Sequence, residues 1–175
     1  MGCSNTKTRK LNVVFLGSES SGKTSLLYKL RLKNANPIFE PTNSFNYEII
    51  KQKYRDVKFE LHAFDLSGKK ELQNCWPMFY ENMQVDVLCI VVHACQRDKI
   101  KEVRKIYKRL SNESNLIKSM KIIVSNIDKK DQINAMSEEE IRKHLDVISS
   151  IPIIEIDCAN GRGLIGLYNY FYQRT

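Results

Sequence analysis

Apolar residues recur along the chain with two different periods, and segments of the two kinds alternate. Short apolar runs, or a strict alternation of apolar and polar residues, predict strands, whereas apolar residues three and four positions apart predict helices. The predicted strands are residues 11–16, 57–63, 86–92, 121–125 and 152–156, with one further strand ahead of the second. The predicted helices are residues 22–32, 72–83, 97–111 and a C-terminal helix that carries Leu164, Leu167, Tyr168 and Phe171 on one face.

This alternation predicts an α/β fold built as a single domain. Strands separated by helices favour a mostly parallel sheet with helices on both faces, because right-handed crossovers place successive helices there. A capping box is expected at Ser137 and Glu140, where it would start a further helix. We expect residues 11–175 to form the domain and residues 1–10 to form a flexible N-terminal tail.

The composition is that of an ordinary globular domain. Of the 175 residues, 42% are hydrophobic and 27% are charged, and no apolar stretch approaches the roughly 20 residues that a membrane-spanning helix requires. The N-terminus lacks the apolar core of a secretory signal. The five cysteines form no C-x-x-C pair, and Cys89 lies within an apolar run, so it is expected to be a small core residue. A reducing, intracellular compartment is the simplest interpretation.

The formal net charge of +8 is concentrated in part on the predicted helix at residues 97–111. Its lysines and arginines fall between the apolar positions, so a solvated helix face is the favoured interpretation. No zinc finger or aromatic-basic module is evident in the sequence, and no nucleic-acid partner is expected. Attraction to an anionic membrane surface is the stronger alternative explanation of the charge.

The sequence GSESSGKT at residues 17–24 satisfies the phosphate-loop (P-loop) pattern GxxxxGK[ST] through Gly17, Gly22, Lys23 and Thr24. The glycines allow successive backbone N–H groups to point at phosphate oxygens, and the following helix adds the positive end of its dipole. Lys23 is expected to reach the β- and γ-phosphates, and the Thr24 hydroxyl to coordinate Mg²⁺. The expected phosphate-binding residues are Gly17, Ser18, Glu19, Ser20, Ser21, Gly22, Lys23, Thr24 and Ser25.

Three residues in later loops extend this predicted site. Thr42 lies in an exposed loop, where its hydroxyl would complete the Mg²⁺ coordination only when a γ-phosphate is present. Asp65, at the end of the alternating strand, is expected to hold a Mg²⁺-bound water. Gly68 is placed to donate its backbone N–H to the γ-phosphate. Each feature is weak alone, but their order and spacing behind a phosphate loop favour the functional interpretation.

These motifs resemble those of the Ras superfamily of small GTPases, and the similarity to its Arf-like branch extends over residues 11–175. PTNSFN is similar to that branch's switch I, DLSGK to its switch II, and WPMFYENMQ to the helix that follows. DCANGRGL resembles the loop that meets the guanine carbonyl, which places this contact at Cys158 and Ala159. The resemblance implies a monomeric molecular switch that binds GTP or GDP with Mg²⁺. It also implies effector, exchange and activating proteins that bind through the two switch loops.

Lys69 departs from the superfamily pattern, because the residue after Gly68 is normally a glutamine that orients the attacking water. A lysine ammonium donates hydrogen bonds and has no acceptor atom, so it cannot replace that glutamine, but it could instead stabilise negative charge on the γ-phosphate. Asn43 and Ser44 also stand where the Arf-like switch I has an apolar residue and a glycine. The expected participants in hydrolysis are Lys23, Thr42, Gly68 and Lys69. Very slow intrinsic hydrolysis is predicted, which leaves open whether the protein is an effective enzyme.

The guanine-reading loop matches the family pattern Asn-Lys-x-Asp least well, because VSNIDKKD admits two registers. Aligning Asn126 with the family asparagine puts Lys129 where the base-reading aspartate belongs. Shifting by one residue retains that carboxylate at Asp128 but loses the lysine that packs beneath the base. We favour the second register, with Asn126 and Asp128 as nucleotide contacts, because it alone preserves guanine selection. The first register would make nucleotide binding weak or promiscuous.

The N-terminal sequence MGCSNT fits the myristoylation pattern M-G-x-x-x-[ST], with Gly2 as the acceptor. A single myristoyl chain anchors a protein only marginally, so a second signal is needed, and palmitoylation of Cys3 would supply it. Lys7, Arg9 and Lys10 would add attraction to an anionic leaflet. The protein is therefore expected in the cytoplasm, held peripherally on the cytosolic face of a membrane.

The alternative function is a catalytically silent Arf-like scaffold that holds a larger assembly together through its switch surface. A metabolic P-loop kinase fits less well, because the sequence shows no obvious acceptor-binding insertion or lid. A G-protein α subunit does not fit, since the 17 residues between Thr24 and Thr42 leave no room for an inserted helical domain. The nucleotide bound to the purified protein separates the switch from the scaffold.

Overall fold

The computed structural model describes residues 8–32, 42–116, 120–126 and 134–174. In these ranges six strands form one sheet: β1 (Arg9–Leu16), β2 (Phe45–Tyr54), β3 (Val57–Leu66), β4 (Val87–His93), β5 (Met120–Asn126) and β6 (Ile153–Ile156). Their order is β2-β3-β1-β4-β5-β6. The β2–β3 pair is antiparallel, and the other neighbouring strands pair in parallel. The predicted α/β fold with a mostly parallel sheet is confirmed.

Helices cover both faces of this sheet: α1 (Lys23–Leu32), α2 (Pro77–Tyr80), α3 (Ile100–Ser111), α4 (Glu138–Leu145) and α5 (Leu164–Arg174). On one face, Leu27 of α1 and Phe171 of α5 pack in a core with Phe15 of β1. On the other face, Ile106 of α3 and Leu145 of α4 belong to a second core. Helices on both faces are therefore also confirmed. The carboxyl ends of β1, β3, β4 and β5 meet at one edge, which is where ligands bind in such sheets.

The helix predicted at residues 97–111 begins as a 3-10 turn at Arg97–Lys99 and continues as α3. Its apolar positions are all buried, as predicted: Ile100, Val103, Ile106, Tyr107 and Leu110. Lys101, Lys105 and Lys108 of α3 are exposed, which agrees with a solvated helix face. Arg104 and Lys108 both approach Asp146 Oδ2, at 3.4 Å and 3.3 Å, so part of the positive charge is paired with the segment that follows α4.

The single helix predicted around residues 72–83 is wrong in its extent. Residues Lys70–Cys75 form a 3-10 helix, and α2 is only four residues long. Pro77 has no N–H to donate, so it cannot continue the preceding turn but suits the first position of a new helix. Trp76, between the two pieces, is buried and donates from Nε1 to the Ser67 carbonyl oxygen at 3.0 Å. The break therefore packs this segment against the loop that follows β3.

Three smaller predictions have clear outcomes. The capping box is confirmed, because Glu140 N–H donates to Ser137 Oγ at 3.2 Å and Ser137 N–H donates to Glu140 Oε2 at 2.9 Å. Cys89 is a fully buried core residue, and burial raises the pKa of its thiol. The first strand begins earlier than predicted, because Arg9 and Lys10, expected in the tail, pair with β3. Among the described residues, no helix is both long and apolar enough to span a bilayer.

Candidate phosphate-binding site

The loop between β1 and α1 curls around a pocket of about 220 Å³, lined by residues 19–25 together with Thr42, Ser67 and Gly68. Gly22 has φ 91°, a left-handed conformation that favours glycine. Gly68 approaches the loop from β3 so closely that a Cβ there would lie 2.5 Å from the Ser18 carbonyl oxygen. The structure therefore brings the two later-loop residues Thr42 and Gly68 beside the predicted phosphate loop.

Lys23 is buried within this loop. Its Nζ donates to the Ser18 carbonyl oxygen at 2.8 Å and lies 3.3 Å from both the Gly17 carbonyl oxygen and Ser21 Oγ. Burial lowers the pKa of Lys23 to about 8, and the nearby Asp65 carboxylate opposes this shift. Gly17 and Ser18, predicted as phosphate contacts, thus hold the Lys23 ammonium through their carbonyl oxygens. A bound anion would restore the charged form of the ammonium.

Asp65 is fully buried at the end of β3 and gathers hydroxyl and amide groups around it. Its Oδ2 accepts from Thr24 Oγ1 at 2.6 Å, from Asn46 Nδ2 at 3.1 Å and from Thr42 Oγ1 at 3.4 Å. The two threonine hydroxyls are 2.8 Å apart. Burial raises the pKa of Asp65, and the hydrogen bond from Thr24 opposes the rise. Oδ1 has no hydrogen-bond partner among the described residues.

This cluster of oxygens fits a Mg²⁺ ion. Mg²⁺ prefers oxygen ligands and is commonly held by one or two protein groups together with substrate phosphates and water. Thr24 and Thr42 offer hydroxyl oxygens, and the unpaired Oδ1 of Asp65 offers a carboxylate acceptor for a metal-bound water. In the part of the chain that the structure describes, no group of three His, Cys, Asp or Glu side chains forms a separate metal site.

The two predicted switch loops contact each other directly. Ser67 Oγ donates to the Thr42 carbonyl oxygen at 2.7 Å, and Ser67 N–H donates to the Ser44 carbonyl oxygen at 2.9 Å. Lys69 Nζ donates to Asn43 Oδ1 at 3.1 Å, a contact that we call the switch bridge. Lys69, which stands in the place of the family glutamine, is thus engaged with switch I through its ammonium group.

Asn126, at the end of β5, reaches the phosphate loop. Its Nδ2 donates to the Ser21 carbonyl oxygen at 3.4 Å, and the residue is 9% exposed. An asparagine with this hydrogen bond supports the phosphate loop. It is therefore not free to pack beneath a base, which is the role of the family lysine whose position Asn126 would take in the second register. The contact favours the register that aligns Asn126 with the family asparagine, which is the opposite of our preference from the sequence. Asp128 and Lys129 lie outside the described residues, so their roles stay predictions.

The loop after β6 is closed by hydrogen bonds of its own. Ala159 N–H donates to Asp157 Oδ1 at 2.9 Å, and the Ala159 carbonyl oxygen accepts from Lys29 Nζ at the same distance. Burial, with the Asp157 carboxylate adding to it, raises the pKa of Cys158 to about 12. The Ala159 amide that is expected to meet a guanine carbonyl is thus engaged with Asp157. A base would have to share or displace that hydrogen bond.

Four polar residues that support this site were not predicted from the sequence: Lys29, Asn46, Ser67 and Lys99. Asn46 pairs with Asp65 across the β2–β3 register, and an amide opposite a strand-end aspartate was a usable signal. Lys99 donates from Nζ to the Glu19 carbonyl oxygen at 2.9 Å. Neither lysine carried a signal, because each belongs to a segment whose basic residues are typical of a solvated helix surface.

Comparisons with known proteins give the site a context. The model of the ADP-ribosylation factor (Arf) family matches residues 2–168. Among solved structures, the chain is similar to one described as the Arl6 BBS3 small GTPase from Trypanosoma brucei with the bound nucleotide analogue GppNp. That likeness has a TM-score of 0.77 at 20% sequence identity, and it covers 94% of this chain and 96% of the other. An identity this low shows a shared fold, whereas the family match spans most of the chain.

Proposed function

Because the chain belongs to the ADP-ribosylation factor family of GTP-binding switches, we propose that its phosphate loop binds GTP and GDP in a Mg²⁺-dependent manner. The observation that carries this proposal is that Lys23, Thr24 and Thr42 line one pocket, and that both threonine hydroxyls are hydrogen-bonded to the buried Asp65. Loop amides, the N-terminus of α1 and one ammonium suit a polyphosphate. Thr24 and Thr42 would hold the ion against the phosphate oxygens, with Asp65 behind them.

Nucleotide occupancy tests this proposal. Protein purified without added nucleotide is denatured, and the released nucleotide is identified by chromatography. GTP or GDP at near-full occupancy is the expected result, whereas adenine nucleotides at that occupancy would contradict guanine binding. Calorimetry on the emptied protein, with and without EDTA, then tests the metal. We expect GTP to bind much more weakly when Mg²⁺ is removed.

We propose that GTP hydrolysis is slow because Lys69 cannot orient the attacking water. Its ammonium donates to Asn43 in the switch bridge, and it has no acceptor atom for a water proton. In a single-turnover assay, Lys69→Gln is expected to hydrolyse GTP roughly 10²-fold faster, a typical contribution of a positioned catalytic side chain. Lys70→Gln, at the exposed neighbouring position, is the matched control. An unchanged or lower rate in Lys69→Gln would count against this explanation.

We propose that the chain is held at a membrane by acylation of Gly2 and Cys3, which lie outside the described residues. The support is the motif itself and the exposure of Thr8, Arg9 and Lys10, where the described chain begins at the protein surface. Gly2→Ala should move the protein from the membrane fraction to the soluble fraction. Asn5→Ala, at a variable position of the motif, should not. Equal membrane recovery of wild-type and Gly2→Ala protein would defeat the proposal.

We infer that effector proteins bind an apolar stripe between the two switch loops. Phe45, Tyr47 and Ile49 of β2 are each between 43% and 47% exposed. Exposed apolar residues in a contiguous row commonly mark protein-binding surfaces. A photo-crosslinking side chain at position 47 should give adducts that differ between the GTP-analogue and GDP forms. The same side chain at Lys143, on α4, should give none, and identical adducts at both positions would contradict the assignment.

A second candidate function, a catalytically silent scaffold, is favoured by the contacts between the switch loops. The hydrogen bonds of Ser67 with Thr42 and of Lys69 with Asn43 join these loops directly. A scaffold predicts an empty site after purification and a melting temperature that nucleotide does not change. Full occupancy by guanine nucleotide would remove this candidate.

A further inference from the structure

The outer face of the β2–β3 hairpin changes character along its length. Alternate residues of β2 are exposed, in the order Phe45, Tyr47, Ile49, Lys51 and Lys53. The half of this face near the switch loops is therefore apolar, whereas the half near the hairpin turn is basic. We call the basic half the lysine face and define it as Lys10, Lys51, Lys53, Lys58 and Glu60.

The strand register places these side chains on one surface. Lys53 stands opposite Lys58, and Lys51 stands opposite Glu60, across the antiparallel pair. Lys10 of β1 stands beside Glu60 of β3. Directly paired residues of neighbouring strands point to the same face of a sheet, so the four lysines and the glutamate project together.

One carboxylate does not neutralise this face. Glu60 Oε1 lies 3.7 Å from Lys10 Nζ, and Glu60 Oε2 lies 4.0 Å from Lys51 Nζ. A hydrogen bond from His62 lowers the pKa of Glu60, so the carboxylate is shared among three partners. Lys53 and Lys58 form a like-charge pair, an arrangement that destabilises a hairpin unless an anion lies between the two ammonium groups.

A groove of about 330 Å³ crosses the lysine face, and Thr8 is part of its lining. The Lys10 and Lys51 side chains are 70% and 80% exposed, so they can reach an anion without disturbing the core. The six residue-to-residue steps from Gly2 to Thr8 span at most about 22 Å when the chain is extended. An acyl chain on Gly2 would therefore hold the lysine face within reach of the bilayer.

The other basic surface, on α3, is more fully engaged. Arg104 and Lys108 approach Asp146, and Arg109 lies over the Trp76 ring at 5.0 Å while donating to the Gln73 carbonyl oxygen. Cations with such partners have less to gain from an external anion. The hairpin is therefore the better docking surface for a negatively charged plane.

We propose that the lysine face binds the anionic lipid headgroups of the membrane to which the N-terminal tail is attached. The choice of a membrane as the partner rests on the acylation proposed above. A sheet face presents several ammonium groups to one plane, and each lysine near an anionic bilayer strengthens binding about fivefold. Lys10 lies near the start of β1 and Gly17 directly follows its end, about 23 Å away at the usual strand rise, so the phosphate pocket would face away from the lipid.

The test compares two triple variants of the full chain that lose the same charge. Lys51→Gln/Lys53→Gln/Lys58→Gln alters the lysine face, and Lys101→Gln/Lys105→Gln/Lys143→Gln alters exposed lysines of α3 and α4. Vesicles of phosphatidylcholine alone are compared with vesicles in which phosphatidylserine replaces a third of it. Each protein is prepared with and without the myristoyl group, and bound protein is measured by co-sedimentation.

We expect the unacylated wild-type chain to bind the phosphatidylserine vesicles and not the neutral ones. The lysine-face variant should bind them about 100-fold more weakly, whereas the control variant should change by less than about threefold. Raising the salt concentration should abolish the binding, because exposed charges are then screened. Unchanged nucleotide affinity and a melting temperature no lower than that of the wild type establish that a variant is folded. If the triple variant does not fold, Lys53→Gln alone should still weaken binding about fivefold, and its melting temperature should rise because the like-charge pair is relieved.

The comparison of acylated and unacylated proteins distinguishes binding by the lysine face from binding by the acyl anchor. If myristoylated wild-type and lysine-face proteins bind both vesicle types equally, the inference is overturned and the anchor stands. If the myristoyl group adds nothing but the lysine-face variant loses binding, the anchor fails and the inference stands. Equal losses in the two triple variants would mean diffuse charge and overturn it. Tighter binding to single-stranded RNA at the same salt, lost in the lysine-face variant, would assign the face to nucleic acid and also overturn it.

Discussion

The phosphate side and the base side of the candidate site differ in how far their polar groups are organised for a ligand. On the phosphate side, Lys23 is hydrogen-bonded to the loop that lines the pocket, and the Thr24 hydroxyl beside it donates to the buried Asp65. On the base side, Asn126 supports the loop and the Ala159 amide is engaged with Asp157. The difference teaches that the groups expected to bind the phosphates are already directed at the pocket, whereas those expected to meet the base are engaged with the protein. Affinity in this chain should come mainly from the phosphates.

The largest expected effect is on the phosphate side, at Lys23. Lys23→Met removes the buried ammonium, and the loss of one partner from a buried charged contact typically costs a factor on the order of 10²–10³ in affinity. Lys101→Met is the matched control, because Lys101 is an exposed lysine of α3 that does not line the pocket. We expect it to change GTP affinity by less than about threefold, as measured by calorimetry. Comparable losses in both variants would show that the loop responds only to total charge.

The base side is tested by Lys129→Asp and Asp128→Asn. If Asn126 occupies the position of the family asparagine, Lys129→Asp creates the missing acceptor for guanine. It should then raise the preference for GTP over ATP roughly 10- to 100-fold, the value of a hydrogen bond to a charged group. Asp128→Asn should leave that preference unchanged. A loss of preference in Asp128→Asn would restore the register that we favoured from the sequence.

The pH dependence of GTP affinity reports on Lys23. In the empty pocket its pKa is about 8, below the ordinary lysine value of 10.5, so above pH 8 binding must take up a proton. Affinity should be nearly constant below pH 7 and fall by up to about tenfold per pH unit above pH 8. Calorimetry in buffers of different ionisation enthalpy measures the proton uptake directly. Lys23→Arg should show no such dependence, since arginine stays charged.

The same shift predicts the direction of a stability change in the empty protein. Between pH 8 and the ordinary lysine value, the unfolded chain binds more protons at this position than the folded chain does. The contribution of Lys23 to the free energy of unfolding therefore rises as the pH rises through that window. Thermal unfolding of nucleotide-free wild-type and Lys23→Met protein across these pH values isolates it. A wild-type profile parallel to that of the variant would contradict the shifted pKa.

The smallest expected effect lies where the two sides meet. Asn126→Ala removes the hydrogen bond to the Ser21 carbonyl oxygen, which is worth about 1 kcal/mol, so GTP should dissociate roughly fivefold faster. Ser125→Ala is the control, because Ser125 would take the asparagine's place in the other register. Stopped-flow release of a fluorescent GTP analogue measures both rates. A larger effect at Ser125 than at Asn126 would reverse the assignment.

The sheet and its two layers of helices could be predicted because burial leaves a local pattern. The buried positions of α3 recur three and four residues apart, and β3 alternates, so each element is visible within its own sequence. The orientation of Asn126 could not be predicted in this way. A strand that is apolar on both faces has no alternation, so its sequence does not tell which face the last residue joins.

Contacts between distant parts of the chain could not be predicted from the sequence either. Lys29 and Ala159 are 130 positions apart, and neither residue type indicates the other. Pro77 could have indicated the break in the helix at this position. The prediction of one helix instead followed the apolar residues on either side of it. The phosphate loop was predictable because its chemistry is contained in eight consecutive residues. The site beyond that loop depends on how five segments are brought together.

The switch bridge bears on how the activity of this protein would be regulated. In a switch that is turned off by GTP hydrolysis, release of the γ-phosphate disorders the surface that partners recognise. The switch bridge is formed by the side chains of Lys69 and Asn43, so it is not lost when a reaction product dissociates. If the switch bridge holds and the chain is acylated as proposed, the duration of a signal would depend on how long each molecule survives and how long it stays at a membrane. Synthesis, delipidation and degradation would then set the timing that hydrolysis sets elsewhere.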